Sequence, residues 1–498
     1  MMHDQEKSDL SILAGKLANK DGRPSAESTE RRERAEGNAG ESRTCRTPSR
    51  ESVFQGLDRV RKAARAKKKK EKFTALLHHV SVELLGAAFS WLKRDAAPGI
   101  DGMTWKEYEQ NLEANLIELH ARVHRGAYRA LPSRRKYIAK PDGRQRPLGV
   151  AALEDKIVQR AVVEVLNAIY ETDFLGFSYG FRPGRSQHDA LDALAFAITR
   201  TKVNWIWDAD VNQFFDSVSH EWLIKFVEHR IGDTRIIRLI RKWLKAGVME
   251  DGEIIAGEVG TPQGAVASPL LANIYLHYVF DLWADRWRGH HAQGNVIFVR
   301  YADDMVAGFE READAKRFHA DVQQRMEQFA LSLHPDKTRL IEFGRNAAEN
   351  RARRGFGKPE TFNFLGFTHI CGQSRQGKFQ LQRKTHRARM RARVRKIKEE
   401  LRRRWHHSIP EQGKWLRQVV IGYFAYHAVP TNSRRIAAFR FHVVNLWRQA
   451  LKRRSQKDRT TWERITRIAS DWLPTPRILH PWPEARFAVK HPRWEPGA

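Results

Sequence analysis

Apolar residues recur at three- and four-residue steps from Phe73 through Leu76, Leu77, Val80, Leu84, Leu85, Phe89 and Leu92, the spacing of one helical face. Ala97-Pro98-Gly99-Ile100-Asp101-Gly102 closes that pattern with turn chemistry. Helical spacing also predicts elements at 105–125, 153–172, 188–200, 219–249, 267–287 and 311–331. Short apolar runs predict strands at 137–139 and 147–150, joined by a turn at Pro141-Asp142-Gly143, and at 203–210, 338–343 and 361–370. A hairpin is predicted over 296–309. Helices and paired strands alternate irregularly, which points to an α+β sheet protein rather than a doubly wound one. After about residue 380 strand signals weaken, and Trp415, Leu416, Val419, Val420, Tyr423, Phe424 and Tyr426 interrupt basic stretches, as in a helical domain. Residues 461–498 read as a short ordered tail, and the first 50 residues, poor in aromatics and without a period, as disordered.

Charge narrows the choice of partner. The 498 residues carry 89 Lys and Arg against 58 Asp and Glu, a formal charge of +31. That excess favours a polyanion, with nucleic acid ahead of a membrane surface. No apolar run reaches the ~18 residues of a membrane span, so no membrane partner is expected. Residues 381–460 hold 23 Lys and Arg against four Asp and Glu. The run Lys67-Lys68-Lys69-Lys70 reads either as a solvated face or as a phosphate contact. Two cysteines, Cys45 and Cys371, cannot form a four-cysteine zinc site and suggest no disulfide framework, which fits a reducing, cytoplasmic setting.

The chemistry centres on Tyr301-Ala302-Asp303-Asp304, an acidic pair at the bend between Val296-Ile297-Phe298-Val299 and Met305-Val306-Ala307-Gly308-Phe309. Adjacent carboxylates repel, and burying them unpaired costs several kcal/mol, so a hard cation such as Mg²⁺ is expected beside them. An isolated Asp-Asp would read more simply as a solvated turn. A second acidic site changes that: Asp210 ends the strand in Asp208-Ala209-Asp210-Val211-Asn212-Gln213-Phe214-Phe215-Asp216. Two-metal phosphoryl transfer needs carboxylates from separate elements around two ions roughly 4 Å apart. Asp208 lies one repeat back on the same strand face and takes second place as a ligand. Asp216 suits a turn or helix cap.

These motifs, from about Phe73 to Arg454, resemble the reverse transcriptase–maturases encoded by bacterial group II introns. Tyr301-Ala302-Asp303-Asp304 is similar to that family's catalytic box and Asp210 to its other catalytic aspartate. The resemblance implies a metal set of Asp210, Val211, Asp303 and Asp304 holding two Mg²⁺, with Mn²⁺ as a substitute. It implies nucleotide contacts by Lys140, Arg146, Phe215, Gln263 and Lys337. Lys140 and Arg146 lie in Ile138–Leu148, and Gln263 in Thr261-Pro262-Gln263-Gly264 ahead of Ser268–Asn273. Phe215 matches the sugar gate, whose ring would clash with a 2′-hydroxyl; core packing is its alternative and the reading for Phe214. Lys337, in Pro335-Asp336-Lys337-Thr338, matches a lysine that could protonate pyrophosphate. Phe364, Leu365 and Gly366 match the primer grip. Ser178–Ser186 resembles a stretch characteristic of group II proteins, and Ile421–Tyr426 with the helix through Trp447 resembles the maturase domain.

The implied architecture is a right-hand polymerase, α+β with antiparallel sheet in fingers and palm, followed by an all-helical thumb. Its expected divisions are a disordered extension at 1–55, N-terminal helices and fingers at 56–200, palm at 201–375, a basic thumb and maturase domain at 376–460, and a tail at 461–498. Lys67–Lys70 and Arg402, Arg403 and Arg404 are expected RNA contacts. The implied partners are group II intron RNA, an RNA template, a DNA primer or target, and dNTPs. The absence of a paired cysteine and histidine cluster after Cys371 leads to the expectation of no endonuclease. Two alternatives stand beside this reading: a reverse transcriptase of the retron, diversity-generating or CRISPR-associated kind, and a non-enzymatic RNA-binding splicing factor.

Overall fold

A computed structural model describes residues 50–66, 72–139, 145–250, 253–255, 259–261, 263–454 and 460–490. Among them, three sheets form. In the first, β1 (Ser133–Ala139) and β2 (Gln145–Val150) pair antiparallel, with Ile138 opposite Arg146; the turn predicted between them lies outside the described residues. The second is built on β3 (Trp205–Asp210), the predicted acid-tipped strand. β4 (Val248–Glu250) and β5 (Glu253–Ile255) extend the first sheet, with β4 parallel to β1, so that sheet is mixed rather than purely antiparallel. β6 (Val296–Tyr301) and β7 (Asp304–Phe309) are the predicted hairpin, and β8 (Arg339–Glu342) completes the second sheet. Its order is β6-β7-β3-β8, antiparallel throughout. β9 (Phe362–Phe364), β10 (Phe367–Gln373) and β11 (Phe379–Thr385) make the third sheet, in the order β11-β10-β9.

Side-chain alternation orients the second sheet. Successive residues of β3 face opposite ways. Trp207 and Ala209 are buried on one side, where the Trp207 ring stands edge-on to Phe318, 5.3 Å between centroids, and its indole N–H donates to His319 at 3.0 Å. Phe318 sits on the helix Glu312–Glu327. Asp208 and Asp210 therefore share the opposite face. Each large side chain buried under the sheet contributes about 1.5–3 kcal/mol, so the helical layer fixes which face the acids occupy.

Several predicted helices are shorter than the spacing suggests. The pattern from Phe73 becomes a single 3₁₀ turn, Leu77–His79, and a helix Val82–Ser90. Asp233, 156 residues away from Leu77 in sequence, accepts both the Leu76 and Leu77 amides, and Ser81 caps the helix. The span 219–249 divides into His220–Arg230, Thr234–Lys245 and β4, because the same Asp233 also caps the second helix. The helix predicted at 105–125 breaks at Asn111 into Trp105–Gln110 and Leu112–His124. The helix Arg50–Ala66 begins inside the stretch expected to be disordered.

Among the described residues two apolar clusters form. One runs from Leu57 to Leu381 with Val429, and the other from Met390 to Leu473. The helix Trp462–Trp472, expected in a tail, gives Ile465 and Ala469 to the second cluster, beside Leu416 and Trp447. Further along, Phe487 stacks on Phe196 of the helix Gln187–Arg200 at 4.2 Å. No helix among the described residues is long and apolar enough to cross a membrane.

Candidate active site

The hairpin and the neighbouring strand bring the three candidate aspartates to one edge of the second sheet. In the register of β3 and β7, Asp210 lies opposite Asp304; across the hairpin, Tyr301 lies opposite Asp304. Ala302 and Asp303 form the two-residue bend, and Ala302 takes a left-handed backbone, φ 56°. A non-glycine residue there costs of order 1–3 kcal/mol and persists only where its surroundings impose it.

Electrostatics record the crowding. Burial, then the charges of Asp303 and Asp210, push the Asp304 carboxyl up to about 7. Burial also raises Asp303, with Asp210 adding to it and Arg146 and Lys337 opposing. Asp208 is raised to about 6 by burial, against its ion pair with Arg339 at 3.3 Å. These carboxyls hold protons above the ordinary carboxylate range, and a bound cation would relieve that.

The donor set fits a hard divalent cation: carboxylate oxygens and little else. Val211 is buried, so it could offer only its backbone oxygen. Among the described residues no three acidic, histidine or cysteine side chains converge as a ready-made cage. Mg²⁺ does not require one, since it is typically bound by one or two carboxylates completed by water and substrate phosphates.

The Lys337 ammonium is ion-paired with Asp210. Its turn is brought there by the backbone: the His334 amide donates to the Asp210 carbonyl at 2.8 Å, and the Lys337 amide donates to the His334 carbonyl at 3.2 Å. Arg146, exposed on β2, is close enough to act on Asp303. Lys140, Pro262 and Lys67–Lys70 lie outside the described residues. Phe214 is buried, while Phe215 on the same turn is half-buried and packs against the same apolar cluster, its ring 5.4 Å from that of Phe214. The Phe215 carbonyl accepts from the Thr261 amide at 2.7 Å. Two residues on, the Gln263 carbonyl accepts from the Gly149 amide at 2.6 Å, tying this loop to β2. The Gln263 side-chain oxygen is buried without a partner among the described residues, a costly state that a ligand donor would satisfy.

Phe364, Leu365 and Gly366 form the tight turn between β9 and β10, with positive φ at Leu365 and Gly366, 45° and 85°. The mirror-image hairpin turn requires positive φ at both positions, which glycine adopts freely. The Tyr426 hydroxyl donates to the Leu365 carbonyl at 2.6 Å, so the C-terminal helices touch this turn. Arg402 and Arg403 are exposed at the end of the helix Arg387–Arg403, whereas Arg404 is held locally, bonded to Glu400 at 2.8 Å and stacked on Trp415 at 5.0 Å.

Sequence reasoning passed over two arginines. Arg389, whose guanidinium lies against Gly366, lowers the Asp304 carboxyl. Arg300 lies fully buried in β6, one residue before the acidic box. A charge inside an otherwise apolar strand was the available signal, since a buried charge must be paired.

Comparison with known proteins adds to this geometry. Residues 138–369 match the family described as reverse transcriptase (RNA-dependent DNA polymerase). The chain is 35% identical over 297 residues to protein YkfC of Escherichia coli, covering 52% of this chain and 77% of that protein. It is 38% identical over 193 residues to the group II intron-encoded protein LtrA of Lactococcus lactis, covering 39% of this chain and 30% of that protein. It is 46% identical over 192 residues to an uncharacterized 91 kDa protein in the cob intron of Schizosaccharomyces pombe, covering 37% of this chain and 23% of that protein. The match thus spans most of the first protein and less than a third of the other two.

Proposed function

The chain belongs to the reverse transcriptase family, among the group II intron-encoded reverse transcriptase–maturases, and from that premise we propose that it copies intron RNA into DNA and promotes splicing of the same RNA. The observation that carries the polymerase reading is the pairing of Asp210 with Asp304 at the tip of an antiparallel sheet, with Asp303 beside them. In this reading the first sheet serves as fingers, the second as palm and the C-terminal helices as thumb. Asp210, Asp303 and Asp304 would hold Mg²⁺, with Mn²⁺ as a substitute, and Val211 would contribute a backbone oxygen. Bound cations of this kind make a primer 3′-hydroxyl acidic enough to attack and neutralise the departing pyrophosphate.

The protein's own groups supply the rest. Arg146, together with Lys140, grips the incoming triphosphate as a fixed cation. Gln263, its oxygen without a partner among the described residues, takes a donor from the nucleotide or template. Phe215 abuts the sugar and excludes a 2′-hydroxyl. Lys337, ion-paired with Asp210, is the group that would donate a proton to the departing pyrophosphate. The turn Phe364–Gly366 supports the primer, with Tyr426 bracing it. The basic helices, and Lys67–Lys70, hold intron RNA through its phosphates.

The test is extension of a DNA primer annealed to an RNA template, with dNTPs and Mg²⁺. Extension that chelation abolishes is expected. A folded protein that binds intron RNA and extends nothing would favour the splicing-factor reading.

A further inference from the structure

One side chain connects three segments that sequence motifs treat as separate. Arg300 is fully buried in β6. Its Nε and Nη2 donate to the two oxygens of Asp281 at 2.6 and 2.5 Å. Nη1 donates to the Asn273 side-chain oxygen at 3.1 Å and to the Ala302 carbonyl at 3.0 Å. Nη2 donates also to the Ser178 hydroxyl at 2.7 Å. A guanidinium has five N–H donors, and here each has an acceptor.

The acceptors come from distant parts of the chain. Asn273 and Asp281 lie eight residues apart along one helical run, and two turns of α-helix take up only about 7.2. The run is π-helical over His277–Asp281, and a π-turn absorbs an extra residue, so both side chains reach the same guanidinium. Ser178 belongs to the stretch Ser178–Ser186, where the Tyr179 amide donates to the Arg300 carbonyl and the Arg300 amide to the Phe177 carbonyl, both at 2.8 Å. Gly180 follows. A Cβ there would stand 2.3 Å from the Ala302 nitrogen, so only glycine lets this segment lie against the acidic bend. Asn273 closes the frame by donating to the Gly180 carbonyl at 2.7 Å.

A buried ion pair is by itself weak grounds for a role beyond packing. What sets this one apart is its bond into the bend. Ala302 carries the positive φ that aims Asp303 and Asp304, and its carbonyl is fixed by Arg300 while its nitrogen is backed by Gly180. We propose that Arg300 is a positioning residue for polymerisation: through Asp281, Asn273 and Ser178 it locks the Ala302 peptide and so sets the direction in which Asp303 and Asp304 present their oxygens to metal. The proposal rests on reading the hairpin as the polymerase site.

Arg300→Lys and Ser178→Ala test it in the full chain, beside Asp303→Asn as a control. Lysine keeps the charge facing Asp281 but cannot also reach the Ala302 carbonyl. The serine change removes one acceptor with little change in volume. Circular dichroism, primer–template affinity, the KM for dNTP, kcat and the Mg²⁺ concentration for half-maximal extension are measured. Misplacement of reacting groups by about 1 Å can cost roughly 100-fold, so kcat should fall by about that factor in Arg300→Lys and several-fold in Ser178→Ala. The half-maximal Mg²⁺ should rise in both, Mn²⁺ should restore part of the loss, and primer–template affinity and the KM for dNTP should stay near wild type. Folded variants with wild-type Mg²⁺ dependence would overturn the positioning role. Should Arg300→Lys not fold, unchanged Mg²⁺ dependence in Ser178→Ala overturns it alone. If Asp303→Asn extends primers normally, it is the reading of the site that fails.

Discussion

Asp304 bears the strongest opposing demands in the site. Its carboxyl sits near 7 because burial and then the charges of Asp303, Asp210 and Asp208 disfavour its own. In the unfolded chain it would titrate near its ordinary value of about 3.9, so the folded state binds the proton more tightly between these limits. Its contribution to stability is therefore largest below about pH 4 and is lost as pH rises toward 7. In Mg²⁺-free buffer the Tm difference between wild type and Asp304→Asn should move against the wild type from pH 4 to 7, and Mg²⁺ should offset that at the upper end. A pH-independent difference would contradict this. Phe215 poses a different question at the same scale, since it is half-buried where Phe214 is buried. Phe215→Val should raise incorporation of rNTP relative to dNTP by roughly tenfold or more, because shortening the ring makes room for a hydroxyl. An unchanged ratio with retained activity would return Phe215 to core packing. The acids were legible in the sequence because flanking apolar runs framed them. The partners of Arg300 were not, because Ser178, Asn273 and Asp281 meet it only through tertiary contact.

Among the elements, the hairpins were easiest to read and the interrupted helices hardest. β6 and β7 announced themselves by two apolar runs about a polar bend, and β1 and β2 by turn residues. β11 was missed because apolar–polar alternation in Phe379–Thr385 stops after Phe379-Gln380-Leu381-Gln382, giving way to Arg383-Lys384-Thr385, and the strand is held by pairing with β10 along its full length. The division of 219–249 was hidden because Asp233 caps one helix and also binds amides near residue 76, a competition that helical spacing does not register. The π segment was hidden too, since its purpose lies in where it delivers Asp281. The turn Leu365–Gly366 joins the third sheet to the C-terminal helices through the Tyr426 hydroxyl. Tyr426→Phe should cost about 1 kcal/mol by removing that bond. It should also shorten the DNA made per binding event, with the single-nucleotide rate little changed. Product length distributions under a heparin trap measure this, and unchanged lengths would detach the turn from primer handling.

On the scale of the whole molecule, the three candidate metal-binding aspartates gather at one sheet edge, while 23 Lys and Arg crowd residues 381–460. In the proposed reading polymerisation uses the first and RNA binding the second. Splicing chemistry belongs to the RNA, and a protein that binds only the folded RNA stabilises it by mass action. Changing Asp210, Asp303 and Asp304 together to Asn should therefore leave splicing at low Mg²⁺ near wild type. Changing Arg402, Arg403 and Arg404 should weaken it there and much less at high Mg²⁺. RNA affinity should fall steeply with salt, more so for wild type than for the arginine variant, as counterion release requires. The most direct test of the account is one substitution read two ways. Asp303→Asn removes a charge with almost no change in volume. Single-turnover extension on an RNA template should fall by roughly a thousandfold or more, the scale expected for losing a principal transition-state stabiliser, while intron RNA affinity stays within about twofold. Extension near the wild-type rate would contradict it.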